Sequence, residues 1–154
     1  MERLAELERW LAGHYPTGSF HLTPASADAS FRRYFRVHLA EGPVPGVIAM
    51  DAPPEHEDCR PFTHVARLLE QAGLNAPRVL AQDLERGFLL LTDLGSTTYL
   101  EALDASNADA LFADATDALV LWQLASRPGA LPPYDAALLR RELDLFPDWY
   151  VARH

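Results

Sequence analysis

Between Phe20 and Thr92 the chain carries five short stretches of strand pattern interrupted by one helical stripe. That order constrains its fold more than any other feature. Phe31, Arg33, Phe35 and Val37 alternate with Arg32, Tyr34, Arg36 and His38, the period of a half-buried strand, so a strand is expected over 31–39. Shorter candidates lie at 20–25, 47–50, 78–82 and 88–92. Turn chemistry separates them: Glu41 to Gly46, the double proline Pro53-Pro54, and the tight Asp83–Gly87 turn. Between the third and fourth strands, Pro61 sits where a helix would start. Phe62, Val65, Leu68 and Leu69 form its apolar stripe and Gly73 closes it. Three strands, one helix and two strands make a five-stranded antiparallel sheet with one helix across it, an α+β layer.

Flanking segments read as helices. Leu4, Leu7, Trp10 and Leu11 share a face over residues 2–12. After Gly95 the strands stop. Thr98 with Glu101 and Ser106 with Asp109 are two capping-box patterns, the second opening a helix to about Leu124. A last helix is expected over 135–145, broken by Pro147.

The loop entering the second strand concentrates Arg32, Arg33 and Arg36 in a chain of net charge -9. A local cationic cluster on an acidic protein suits a small anion such as phosphate; an arginine-decorated edge strand is the plainer alternative. The acidic balance argues against nucleic acid. All 13 basic residues are arginine. The absence of lysine excludes a Walker A loop, the usual strand lysine of protein kinases and a Schiff-base lysine. One cysteine, Cys59, permits no intrachain disulfide. The N-terminus lacks the pattern of a signal peptide and no apolar run reaches bilayer length, so a cytoplasmic protein with no membrane partner is expected.

The element order is that of the small lobe of kinase-type folds. There, a loop between the first two strands covers nucleotide phosphates and the linker after the fifth strand meets the adenine through its backbone. Here those segments would be Ser26–Ser30 and Thr92–Gly95. Four blocks carry a more specific resemblance: Ser26 to Arg36, Met50-Asp51-Ala52-Pro53-Pro54, Asp83 to Gly95, and Tyr134 to Tyr150. Together they resemble the bacterial N-acetylmuramate/N-acetylglucosamine kinases, within the aminoglycoside phosphotransferase and choline kinase superfamily. The resemblance covers nearly the whole chain. It implies an ATP-dependent kinase acting on the anomeric hydroxyl of an amino sugar, in peptidoglycan recycling.

The resemblance also implies a division of labour. Residues 1–95 would be the nucleotide-binding lobe with its hinge, and 96–154 the first helices of the substrate lobe. The family's His-x-Asp catalytic loop and its metal-binding Asp have no counterpart in these residues. The catalytic Asp and the Mg²⁺ ligands are therefore expected beyond His154, and the chain alone is expected to be inactive. His56-Glu57-Asp58 has the spelling of the catalytic motif but not its place, and reads as a solvated loop, as does any metal cluster there.

Within that frame Ser30, Phe31, Arg32, Arg33, Met50, Asp93 and Leu94 are the candidate nucleotide contacts, and Glu142 and Asp148 the candidate sugar contacts. Each has a plain alternative. Ser30 suits a turn, the arginines suit surface ion pairs, and Glu142 and Asp148 suit a charged helix face with internal pairs. Met50 occupies about the place of the superfamily's third-strand cation, so either Arg32 or Arg33 is expected to supply that charge or the register is shifted; Met50 itself suits the core or an adenine contact. Glu70 stands where the pairing acid would fall. Another small-molecule kinase of the superfamily, or a non-catalytic nucleotide-binding module, remains open as an alternative. The apolar faces of the helices from 106 to 150, including Leu111, Phe112, Leu119 and Trp122, lead to an expectation of self-association.

Overall fold

A computed structural model describes residues 2–27, 30–40 and 46–154; residues 41–45 of the turn expected at Glu41–Gly46, and the loop positions Asp28 and Ala29, lie outside the described residues. The chain divides into two compact units, Met1–Trp122 and Gln123–His154. The first holds α1 (Glu2–Leu11), β1 (Phe20–Ala27), β2 (Arg33–Leu39), β3 (Val47–Asp51), α2 (Cys59–Gln71), β4 (Val79–Asp83), β5 (Phe88–Thr92), the single turn α3 (Tyr99–Ala102) and most of α4 (Ala108–Ala125). The five strands form one sheet in the order β1-β2-β3-β5-β4, and every neighbouring pair is antiparallel.

Residue parity assigns the two faces. Val37, Val47, Ala49, Phe88 and Leu90 face α1, whose Leu7 and Leu11 are fully buried against them. Met50, Leu89 and Leu91 face the other way, where Cys59 and Phe62 of α2 and Tyr34 and Ile48 pack. β5 is covered on both sides, so it reads as a continuous apolar run rather than an alternation. The helix expected to cross the sheet is α2, but α1 supplies more of its cover. α2 buries only Cys59 and Ala66, while α1 buries Leu7, Trp10 and Leu11 within ten residues.

β2 starts at Arg33, two residues later than its alternation suggests. Phe31 stays outside the core at 60% exposure, stacked on His56 with ring centroids 4.3 Å apart. β1 runs further than expected, through Ser26 to Ala27. It accommodates Pro24 because it is an edge strand, and a bulge between Pro24 and Ser26 leaves Ala25 without a partner on β2.

On the α1 face, Asp51 is fully buried and held by two arginines. Arg3 donates to Oδ1 from Nε at 3.0 Å and also from Nη2, which reaches the Arg86 carbonyl at 2.8 Å. Arg33 donates to Oδ2. The arrangement fastens α1 to two central strands. Gly87, at φ +72°, closes the β4–β5 turn against β3; a Cβ there would lie 1.8 Å from the Ala52 carbonyl oxygen.

Of the two capping boxes, the first forms: the Glu101 carboxylate accepts the Thr98 N–H at 2.9 Å. Ahead of α4 the turn is organised by Asp104 instead of Ser106. Its carboxylate accepts the N–H groups of Ser106 and Asn107, and those bonds, with the Ser106 hydroxyl first, hold it below the usual carboxylate range. α4 leaves Phe112, Leu119 and Trp122 exposed. No helix among the described residues is long and apolar enough to cross a membrane.

In the second unit, Asp135 caps α5 (Ala136–Leu145) by accepting the Leu138 N–H at 2.9 Å. α5 ends at Leu145, as expected of a helix broken at Pro147, but the helical path goes on. A π-helical stretch, η1 (Phe146–Val151), carries it on, and Pro147 falls in its first turn, where a missing N–H costs no internal bond. Phe146 stacks on Tyr150 one turn later, centroids 5.3 Å apart.

Candidate functional site

On the sheet face away from α1, a cavity of about 290 Å³ opens between β1, β2 and the chain that follows β5. Tyr34, Ile48 and Leu91 line it from three adjacent strands, Phe62 comes from α2, and Asp93, Leu94 and Gly95 form one rim. Small-molecule sites typically measure ~300–1,000 Å³. This one therefore suits a flat ring system rather than a whole nucleotide.

The rim is held by its own hydrogen bonds. Thr92 N–H donates to the Arg78 carbonyl at 3.0 Å, and Asp93 N–H to the Gly46 carbonyl at 2.9 Å. The Asp93 carboxylate accepts the Gly95 N–H at 2.9 Å, bending the chain so that Gly95 sits at φ +91°. Arg36 then spans the gap from β2. Its guanidinium donates to both carboxylate oxygens of Asp93, the Nη2–Oδ1 bond measuring 3.1 Å, and to the Gly95 carbonyl at 3.2 Å. The Arg36 hydrogen bond, followed by the Gly95 N–H and the charges of Arg36 and His38, outweighs desolvation and holds Asp93 below the usual carboxylate range. The same bond pushes Arg36 further up. Gly46 is required by this contact, since a Cβ there would meet Asp93 Oδ2 at 2.7 Å.

The candidates named from sequence fall into separate places. Asp93 and Leu94 rim the cavity. Ser30, Phe31 and Arg32 sit together where the β1–β2 connection enters β2. The Ser30 hydroxyl accepts the Arg32 backbone N–H at 3.2 Å and its Nε at 3.1 Å, and Arg32 Nε lies 3.8 Å from Glu57 Oε2. The acid beside Arg32 is thus Glu57, just ahead of α2. Glu70 lines a second, larger cavity of about 520 Å³ between α2 and β4, with Arg60, His64 and Arg67. No part of 92–95 lines that cavity. Arg33 and Met50 are not among the residues lining the smaller one. Arg33 faces α1 and is committed to Asp51, as its odd position on β2 dictates. Met50 is fully buried, packed with Cys59, Leu89 and Leu91. Glu142 and Asp148 belong to the second unit, on α5 and η1. The Glu142 carboxylate pairs with Arg141 at 3.4 Å, and Arg140 with Asp144 at 2.8 Å. Among the described residues, no group of three or more His, Cys, Asp and Glu side chains could hold a metal ion.

A sequence model of the phosphotransferase enzyme family matches residues 21–154. The chain belongs to this family. It is 61% identical over 133 residues to the N-acetylmuramate/N-acetylglucosamine kinase of Pseudomonas aeruginosa, covering 86% of this chain and 38% of that protein. The kinase of the same name from Pseudomonas putida is 55% identical over 99% of this chain and 44% of its own length. The one from Neisseria meningitidis is 43% identical, again over 99% of this chain and 46% of its own length. The chain thus spans less than half the length of the curated relatives it matches.

Two of the residues that line this cavity were not among the candidates named from sequence. Tyr34 and Arg36 line the cavity, both from the even-numbered face of β2. The alternation already placed them there. Nothing in the sequence showed that Arg36 would reach Asp93, 57 positions later.

Proposed function

We propose that the protein carrying this chain is an ATP-dependent kinase that phosphorylates the anomeric hydroxyl of N-acetylmuramate and N-acetylglucosamine, and that this chain is its nucleotide-binding half. The observation that carries the nucleotide part is the ring-sized cavity with backbone at one rim, on the sheet face away from α1. The names of relatives 43–61% identical support the sugar. In this reading the base lies between Ile48, Leu91 and Tyr34, against Asp93 and Leu94. Ser30, Phe31 and Arg32 lie toward the phosphates, where a charge-assisted bond from Arg32 would offset developing negative charge. Arg33 and Met50 support the sheet. Residues 1–95 are the nucleotide lobe, and 96–154 open the substrate lobe, with Glu142 and Asp148 toward the sugar.

Mg²⁺ would neutralise the transferring phosphoryl group, held by carboxylates outside the described residues. The sugar oxygen attacks the γ-phosphorus, the bond to the ADP oxygen breaks, and the sugar proton passes to a carboxylate base in the other half.

The test is the full-length protein with ATP and each sugar, measuring ADP release and loss of the sugar's reducing end. Sugar-dependent ADP release with loss of reducing end is the expected result. ADP release with an aminoglycoside or choline and not with either sugar would overturn the substrate assignment.

A further inference from the structure

We propose that Arg36 is a positioning residue for the nucleobase, acting through Asp93 on the backbone at Leu94; the proposal rests on the nucleotide reading above. The rim's polar groups are nearly all engaged within the protein. The N–H groups of Thr92, Asp93 and Gly95 are consumed by Arg78, Gly46 and the Asp93 carboxylate. The Gly95 carbonyl is consumed by Arg36. Among the described residues, what is left is one donor, the Leu94 N–H, with the Asp93 and Leu94 carbonyls beside it. One donor flanked by acceptors complements the edge of a 6-aminopurine, whose N1 accepts and whose amino group donates.

That pattern exists only while the rim keeps its bend, and Arg36 fixes the bend. Its guanidinium is the one group, among the described residues, that holds Asp93 and Gly95 together from a different strand. The Asp93 side chain is 9% exposed, so its charge needs this partner. Gly46 closes on it from the start of β3. The planar fork of arginine serves three acceptor atoms at once, which a lysine ammonium at the same distance does not reproduce. Arg36 therefore acts on the base through the rim that it holds.

The experiment compares ATP with purine riboside triphosphate, which lacks the 6-amino group, in steady-state kinetics of the full-length protein. The unsubstituted enzyme should prefer ATP in kcat/KM by about tenfold, the worth of one hydrogen bond. In Arg36→Ala that preference should fall toward one, with KM for ATP raised several-fold and KM for the sugar unchanged. Arg36→Lys should be intermediate. Asp93→Asn, which keeps an acceptor for Gly95 and loses the charge, should also weaken the preference, and it carries the comparison if Arg36→Ala does not fold. A preference that survives both Arg36→Ala and Asp93→Asn, with only the melting temperature lowered, would make the pair a structural brace and overturn the proposal. Equal use of ATP and the analogue by the unsubstituted enzyme would overturn it as well. Failure of that enzyme to use ATP at all would instead overturn the nucleotide reading beneath it.

Discussion

Removing Arg3 and Arg33 separately and together tests how α1 is fastened to the sheet. Asp51 has no exposed surface, and its side-chain partners are those two guanidinium groups. Arg3 is 26% exposed and makes a third bond to the Arg86 carbonyl. Hydrogen bonds to charged groups contribute ~1.5–3 kcal/mol, so Arg3→Ala should cost about 2 kcal/mol. The Arg33 side chain is half exposed and water competes for it, so Arg33→Ala should cost about 1 kcal/mol. Each single change leaves one cation on Asp51. The double change leaves a buried carboxylate with none, a situation that costs ~3–5 kcal/mol where buried pairs are broken. With no cation left the upper end of that range applies, about 5 kcal/mol against about 3 kcal/mol for the sum of the singles, an excess of about 2 kcal/mol. Urea unfolding of the four proteins, monitored by far-ultraviolet circular dichroism, gives the cycle directly. Additivity within about 0.5 kcal/mol would refute the reasoning, because independent sites add to that tolerance.

Local geometry sets three further outcomes. Gly87→Ala should destabilise by at least about 2 kcal/mol in the same unfolding assay, since the new Cβ meets the Ala52 carbonyl oxygen and the backbone is left-handed there. Burial pushes the Cys59 thiol up, with Asp58 adding to it, so at pH 8 it should react with a disulfide reagent at least about tenfold more slowly than in the urea-unfolded chain. Asp93 is depressed in the folded state. Its contribution is therefore present above the unfolded carboxylate value of about 3.9 and lost as pH falls through the lower folded value. The stability difference between the unsubstituted protein and Asp93→Asn should be flat from pH 8 to 5 and shrink only below about pH 4; a decline starting near pH 6 would assign it to another group.

Much of the fold was legible because it rests on period and parity. The five strands and α1 follow from alternation and from the helical stripe. The opposite facing of Arg33 and Arg36 follows from one residue of offset. Pairing distances are another matter. That Arg33 meets Asp51 depends on the β2–β3 register, in which those two residues are directly opposite. That Arg36 meets Asp93 depends on how the chain leaves β5. Neither is encoded within any one stretch of sequence. Phe31 shows the same boundary at smaller scale: its parity matches Phe35, but a ladder begins only where a partner strand is present, and here that is at Arg33. Asp93 and Leu94 follow from the resemblance, whereas the clamp behind them exists only in the folded chain.

The bulge at Ala25 has an evolutionary consequence. Deleting that single residue would make the β1–β2 ladder uniform, with Pro24 opposite Phe35 and Ser26 still opposite Tyr34. By the rules of sheet stability such a shortened variant is unobjectionable. Yet bulges sharpen local twist and re-aim the strand beyond them, and Ala25 and Ser26 both line the cavity. The deletion would straighten the strand at the edge of the cavity and redirect the connection that leads to Ser30 and Arg32. A drift toward greater regularity would therefore be tolerated by the sheet and penalised at the cavity, so a lineage keeping the activity should keep the extra residue even as its identity changes.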